Sequence, residues 1–313
     1  MREYVSLLPD YTCRVTLERF GRAKARARFE PRDRWRLEVA YSGGRELYSW
    51  PGDGRFEAGI EDLLPGHGLV SNGSYALHVR TLFLREVAEF SAPREEACEG
   101  APCVRLDFHV AASRSGYALS AGDGGAAVPL AGSAWFDAAS LDIERLEVRV
   151  EAPPEVRIAA TRETTVYQRA RIGEVEFVVP RTSELVLRDR DGRELWNRSR
   201  FDEYRRYTGS ATVFYEPPAA GDAPAVTAPE RGGPPRAGRQ GVTAALDAEI
   251  GEDAAIGDAF TATAPDGAKF SGRITDLWRV GKGWMVELWV QGMRRRGLGL
   301  PLKAGTKVVW KRE

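Results

Sequence analysis

Apolar and charged residues alternate through much of residues 132–215, as in LEVRV at 146–150 and SELVL at 183–187. Pro153-Pro154, Ile172-Gly173 and Asp191-Gly192 punctuate the run. A period of two broken by turn residues predicts a half-buried antiparallel sheet, one face on a core and the other in water. Upstream, Tyr11–Phe20 reads as a first strand, followed by GRAKARARF at 21–29. As a strand, that run puts Arg22, Lys24, Arg26 and Arg28 on one face. The strip is either a contact for anionic headgroups or polymers, or a soluble edge kept from pairing by its charge. Residues 34–50 predict a hairpin turning at Ser42-Gly43-Gly44. Trp35, Leu37, Val39 and Tyr41 share one face, and Tyr48 and Trp50 meet them across the pair.

Residues 2–8 predict a short amphipathic helix ended by Pro9, and Ala58–Leu64 a second helical stretch. A longer helix starts at the N-cap Ser74, with Leu77, Thr81 and Leu84 on one stripe beside Phe83. Strands resume at Glu86–Ser91, Val104–Ala112, Gly116–Ser120 and Ala126–Asp137. Short turns favour a meander, since parallel pairing requires long crossovers. Ten or so strands in one sheet curl or close as twist accumulates. A curled sheet with helices in its mouth makes a cavity.

Residues 216–240 are rich in Pro, Gly and Ala and hold no large apolar side chain, which predicts a flexible linker. Past it, 241–313 regains β character, with Trp284, Val286, Leu288 and Val290 on one face and Gly-containing turns between strands. A small barrel-like module fits that pattern. Trp278, Trp284, Trp289 and Trp310 make up half of the chain's 8 tryptophans. Core packing accounts for such a density in a small module. Trp289 lies opposite the apolar set, which leaves it either packed or serving an exposed binding surface. The triplet Arg294–Arg296 reads as a solvated turn.

A length of 313 residues accommodates two domains. The 45 basic and 45 acidic residues cancel, so no global field points to nucleic acid, a membrane surface or an acidic substrate. The longest apolar runs, such as Ala126–Leu130, fall far short of the roughly 18 residues of a transmembrane helix. Met1 is followed directly by Arg2-Glu3-Tyr4, with no apolar stretch of signal type. The chain is therefore either cytoplasmic or the mature part of an exported protein. Cys98 and Cys103 flank a turn sequence, and either form a disulfide or stand as two thiols beside a loop. Closing so short a loop contributes roughly 2 kcal/mol. Cys13 reads as a buried small side chain. No histidine sits at ligand spacing from the pair, so neither a metal site nor a cofactor is expected.

Catalytic machinery is hard to find. Ser74 lies in NGSYA, short of the GxSxG elbow, and capping explains it better. His67 is in a predicted loop, His78 inside the predicted helix, and His109 on the polar side of its strand; none belongs to HExxH. No carboxylate spacing selects a glycosidase pair, and AGDGGA at 121–126 lacks the lysine of a phosphate loop. Zero net charge, with no aromatic residues interleaved in a basic patch, disfavours nucleic acid.

Several stretches resemble a family of uncharacterised exported bacterial proteins: LPDYTC (8–13), LEVAYSGGRELY (37–48), SNGSYA (71–76) and IGEVEFVVP (172–180). The family typically opens with a signal peptide. In general architecture, 1–215 is similar to the LolA-like half-barrel of periplasmic lipoprotein carriers, in which a curled antiparallel sheet closed by helices shelters acyl chains. GDAFTAT (257–263) and GAKFSGRI (267–274) look like a small β module appended to such proteins. The resemblance implies a mainly β (α+β) fold: a curled antiparallel half-barrel over 1–215 with short helices covering its open face, a linker over 216–240, and a separate small β-barrel-like domain over 241–313. It also implies a periplasmic or otherwise exported setting, which favours a Cys98–Cys103 bridge.

The leading expectation is a non-catalytic cell-envelope protein that binds a lipid or acylated ligand, with polar groups only at the mouth of the cavity. Its lining would be Trp35, Leu37, Val39, Tyr48, Trp50, Leu106, Phe108, Leu146, Val148 and Phe177. The C-terminal module would contact an envelope protein or polymer. The alternatives are a scaffolding protein with a solid core, whose linker lets the module reach a second partner, and a hydrolase centred on His67 or Ser74.

Overall fold

A computed structural model describes residues 8–42, 45–56, 60–63, 78–79, 82–83, 85–98, 100–121, 124–207 and 242–312. The predicted helix at 2–8 (but for Leu8), the hairpin tip at 43–44, His67, Ser74 and the linker 216–240 lie outside the described residues.

Thirteen strands precede the linker: β1 Tyr11–Arg22, β2 Glu30–Ser42, β3 Arg45–Ser49, β4 Glu89–Phe90, β5 Arg94–Cys98, β6 Ala101–Val110, β7 Ala118–Ala121, β8 Gly124–Ala127, β9 Leu130–Asp137, β10 Ile143–Glu151, β11 Ile158–Ile172, β12 Val175–Asp189 and β13 Glu194–Arg206. Eleven of them form one antiparallel sheet in the order β3-β2-β1-β13-β12-β11-β10-β9-β6-β4, with β5 also on β6. The expected meander holds within β9–β13 and within β1–β3. One long-range seam joins the two runs, β1 against β13 from Tyr11↔Arg206 to Arg22↔Glu194. β7 and β8 form a separate hairpin.

Two expectations are corrected. The basic run 21–29 is not a strand: β1 ends at Arg22 and residues 23–27 make the turn into β2. Its charges are those of a solvated hairpin end, where the Arg22 guanidinium stacks over Phe29, 4.3 Å from the ring centroid, and bonds Glu194. The expected strand Ala126–Asp137 is divided at Val128-Pro129 into β8 and β9. Pro129 has no N–H to donate to a ladder, which suits it to the break.

Buried residues alternate along the strands, as in Tyr11, Cys13, Val15 and Leu17 on β1 and Trp35, Leu37, Val39 and Tyr41 on β2. These positions define the inner face. Helical pieces lie over it: a four-residue turn at Ile60–Leu63, and wide-turned backbone at 78–79 and 82–83 that buries Val79, Leu82 and Phe83. Phe83 packs edge-on to Phe136 with ring centroids 6.0 Å apart. Side chains of this size contribute roughly 1.5–3 kcal/mol each when fully buried.

The C-terminal strands β14 Val242–Leu246, β15 Ala259–Thr263, β16 Lys269–Val280, β17 Gly283–Val290, β18 Met293–Gly299 and β19 Lys307–Arg312 close into a six-stranded barrel. The barrel is docked on the sheet. β3 pairs only with Ser42 back to Glu38 of β2, and part of the remaining β2 edge is taken up by the segment before β15. There Ile256 N–H donates to the Arg34 carbonyl (2.8 Å) and Arg36 N–H to the Ile256 carbonyl (2.9 Å). Arg36 holds the Asp258 carboxylate at 2.6 Å, and Arg273 pairs with Asp53 at 2.5 Å. A Cβ on Gly257 would stand 2.4 Å from the Arg36 carbonyl oxygen, and its φ of +102° also favours glycine. The module expected to reach a second partner is seated against the first sheet.

Candidate ligand-binding face

Residues directly opposite one another in an antiparallel ladder point to the same face, so the register writes out the inner face row by row. One row runs Trp35–Leu17–Ser199–Ser183–Thr165–Leu146–Ala134–Leu106. The next runs Asp33–Arg19–Asn197–Leu185–Glu163–Val148–Gly132–Phe108–Phe90. Both rows are apolar on β10, β9 and β6, and the first also on β1 and β2. On β11, β12 and β13 they are largely polar. Thr165, Ser183, Asn197, Ser199 and Glu163 are all buried there.

This central band is internally bonded. Thr165 Oγ1 donates to Ser183 Oγ at 3.4 Å, and Ser183 Oγ donates to Glu163 Oε1 at 2.9 Å. Glu163 Oε2 meets His78 Nε2 at 2.8 Å. Tyr117 stacks on the His78 ring with centroids 5.1 Å apart and planes 7° apart. Burial pushes the Tyr117 hydroxyl well above its ordinary value, with the Glu163 and Glu46 carboxylates adding to the shift. At the β1–β2 end, Arg19 grips Asp33 through two hydrogen bonds. Asp33 also accepts from Trp35 Nε1 at 2.8 Å. Buried polar groups cost free energy unless bonded, and each of these bonds offsets that cost. Ser183 and His78 both meet Glu163 on different oxygens, so the hydroxyl is aimed at the carboxylate, not at the imidazole. That is no nucleophile–base pair.

The structure brings most of the sequence-derived lining together. Trp35, Leu37, Val39, Tyr48, Phe108, Leu146 and Val148 are buried and share one apolar cluster, with Trp50, Leu106 and Phe177 half-buried against it. Phe108 lies over Gly132, where a Cβ would come within 2.7 Å of its ring and 1.9 Å of the Glu147 carbonyl oxygen. Glycine at that position leaves the room that the aromatic ring occupies. Trp50 extends past β3 to stack on Trp35, centroids 6.1 Å apart, under the Arg273 guanidinium of the barrel. Phe177 pairs with Ala170 toward the tip of the β11–β12 hairpin, off both rows. The expectation of polar groups only at the mouth is corrected, because the polar band crosses the middle of the face. His78 carries the part of the site that sequence reasoning missed. Its position inside a predicted helix gave no sign of a carboxylate 85 residues away.

The sulfurs of Cys98 and Cys103 are bonded across the β5–β6 hairpin, beside Glu96. Cys13 is a buried free thiol, pushed far above its ordinary value chiefly by that burial. On the outer face, a cleft of about 350 Å³ at the sheet–barrel junction is lined by Glu18, Arg34, Arg36, Arg198, Arg200 and Asp253. Two of its cations are matched, Arg34 with Glu18 and Arg36 with Asp258.

No protein-family model and no curated protein matches the chain. Among solved structures, it is similar to the crystal structure of LolA superfamily protein NE2245 from Nitrosomonas europaea, with 10% sequence identity and a TM-score of 0.32. That likeness covers 66% of this chain and 90% of the other.

Proposed function

We propose that this is a non-catalytic cell-envelope protein that holds a hydrophobic or lipid-like ligand, a lipid or an acylated molecule, against the inner face of its curled sheet. The observation that carries the reading is the composition of that face: apolar flanks on either side of a buried, hydrogen-bonded polar band. Apolar flanks shed water onto an acyl chain at about 25 cal/mol per Å². A few convergent polar groups then fix the orientation of the bound molecule. The bonded Cys98–Cys103 pair supports an oxidising, exported setting, where such bridges persist.

Native mass spectrometry of the full chain, with lipid extraction of the same sample, tests the reading. Acyl-containing adducts are expected, and they should fall in Phe108→Ala while circular dichroism stays unchanged. A clean apo mass in both proteins would sink it.

A second reading is favoured by one observation, the near-complete burial of Leu37, Val110, Leu146 and Val79 within the shared cluster. On that reading the face is filled by the protein's own side chains, and the chain is a scaffold whose docked barrel meets a partner. The same experiment separates the two.

A further inference from the structure

Opposite charges face one another along much of the outer side of the sheet. Arg34, Glu18, Arg198 and Glu184 follow in one row of the ladder, and Arg188 stands against Glu194. Arg149 on β10 breaks the pattern, because its partner on β11 is Arg162. Like charges placed directly opposite, with Cβ atoms about 4.5–5.5 Å apart, are destabilising. The same sheet opposes Arg94 to Arg105, and there Asp107 binds both. Among the described residues no such carboxylate joins Arg149 to Arg162. Arg149 turns instead to Glu147 on its own strand, 3.3 Å away.

Arg162 is left exposed, with no hydrogen bond or ion pair to any described residue. Arg188 is in the same condition, since the Glu194 opposite it is held by Arg22. Val186 is the cross-strand partner of Arg162. Arg188, two residues along β12, therefore lies on the diagonal, about 7–8 Å from Arg162. These two arginines and Arg149 line a cleft of about 280 Å³ that also includes Ala160, Val186 and Glu151. Ala160 sits between Arg188 and Glu151 in the ladder, and its methyl group leaves open the space a longer side chain would fill. Glu151 is one strand further off, beyond Ala160. Two unpaired guanidiniums thus face a single unpaired carboxylate.

We propose that this cleft binds a phosphate monoester, either a small soluble ester or the headgroup of phosphatidic acid. A guanidinium presents its N–H donors in a planar fork that matches two phosphate oxygens. A phosphate monoester carries about −1.5 to −2 charges and three acceptor oxygens near neutral pH. It can be held by Arg162 and Arg188 together and still face Arg149, taking the place that Asp107 fills between Arg94 and Arg105. A carboxylate brings one charge and two oxygens, too few for all three. The inference concerns the outer face and holds whether or not the inner face carries a lipid.

Two measurements on the full chain test it: calorimetric titration with glycerol 3-phosphate, and co-sedimentation with phosphatidylcholine vesicles containing phosphatidic acid. Binding to glycerol 3-phosphate alone assigns the cleft to soluble esters, and binding to the vesicles alone assigns it to the headgroup. Arg162→Gln and Arg188→Gln should each weaken binding about tenfold, as expected for the loss of a charge-assisted hydrogen bond. Ala160→Leu keeps all three arginines and should weaken it as much by filling the cleft. Phe108→Ala, on the inner face, should leave phosphate binding unchanged even if acyl adducts fall, which separates this site from that one. Failure in both arms overturns the proposal, as does glycerate binding as tightly as glycerol 3-phosphate. So does undiminished binding by the variant carrying both Arg162→Gln and Arg188→Gln, with a native circular dichroism spectrum.

Discussion

The barrel and the curled sheet are built from the same kind of strand, yet their insides differ. Inside the barrel sit Leu246, Phe260, Ile274, Leu277, Val286, Leu288, Val290, Met293 and Trp310, and even the Trp310 indole N–H has no hydrogen-bond partner. The sheet encloses a glutamate, two serines, a threonine, an asparagine and a histidine among its apolar residues. A dry interior is the least costly way to close a small module. A buried polar band needs each of its members bonded, and it is retained where position matters more than stability. On the reading proposed above, the barrel supplies stability and the sheet recognition.

The sharpest way to break that contrast is to cut a cavity in each interior. Leu288→Ala in the barrel should cost about 2–5 kcal/mol, the usual range for a fully buried leucine. Leu106→Ala, on the half-buried end of the sheet's inner row, should cost less than half as much. Denaturant unfolding of the two variants reads the difference, and equal losses would mean that both interiors are packed solid. Next in size is the polar band. Glu163→Ala strips His78 and Ser183 of their shared acceptor and should cost about 2–4 kcal/mol, with Glu163→Gln recovering part of it. Thermal melts that place both variants at wild type would show the band to be dispensable.

Two smaller effects concern pH. The unfolded chain releases the Cys13 and Tyr117 protons near pH 9 and 10, whereas burial makes the folded chain keep them longer. Their contribution is complete below those values and is lost as pH climbs through the higher folded ones. Stability should therefore slope downward above about pH 9, more gently in Cys13→Ala with Tyr117→Phe. Asp107 acts at the acid end. Its hydrogen bond from Ser133, helped by Arg105, holds its carboxyl below the ordinary range. The stabilisation it brings is present above the unfolded value near 4 and drains away as pH falls through the folded one. Ser133→Ala should blunt that acid limb in a melt series from pH 5 to about 2, the smallest effect of the set.

Local features were readable in the residues. The hairpin of β2 and β3 follows from its alternation and glycines, and the barrel from evenly spaced turns and buried partners such as Val286 and Leu288. The inner-face residues Trp35, Leu37, Phe108 and Leu146 also follow from period-two patterning. The polar band was hidden because Arg198-Ser199-Arg200 reads as polar on both faces, although only Ser199 turns inward. At residues 21–29 the alternation of Arg and Lys imitated a strand, yet the positions alternating with them from 23 to 27 hold only alanine, and the chain turns there instead. The contact of His78 with Glu163 and the docking of Ile256 on β2 join distant segments through a few atoms. Period and propensity carry no trace of such contacts.

The β1–β13 seam has a consequence for biosynthesis. The Arg22 and Glu194 side chains that meet at one end of it are separated by 172 positions in the chain. At about 5–20 residues per second, the first strand waits roughly 10–35 s for its neighbour to leave the ribosome. Throughout that interval the hairpin of β1 and β2 presents one row of unsatisfied amides and carbonyls to whatever passes. A nascent-chain escort that binds extended backbone would find its target in the first forty residues, and its release would be timed by the arrival of β13.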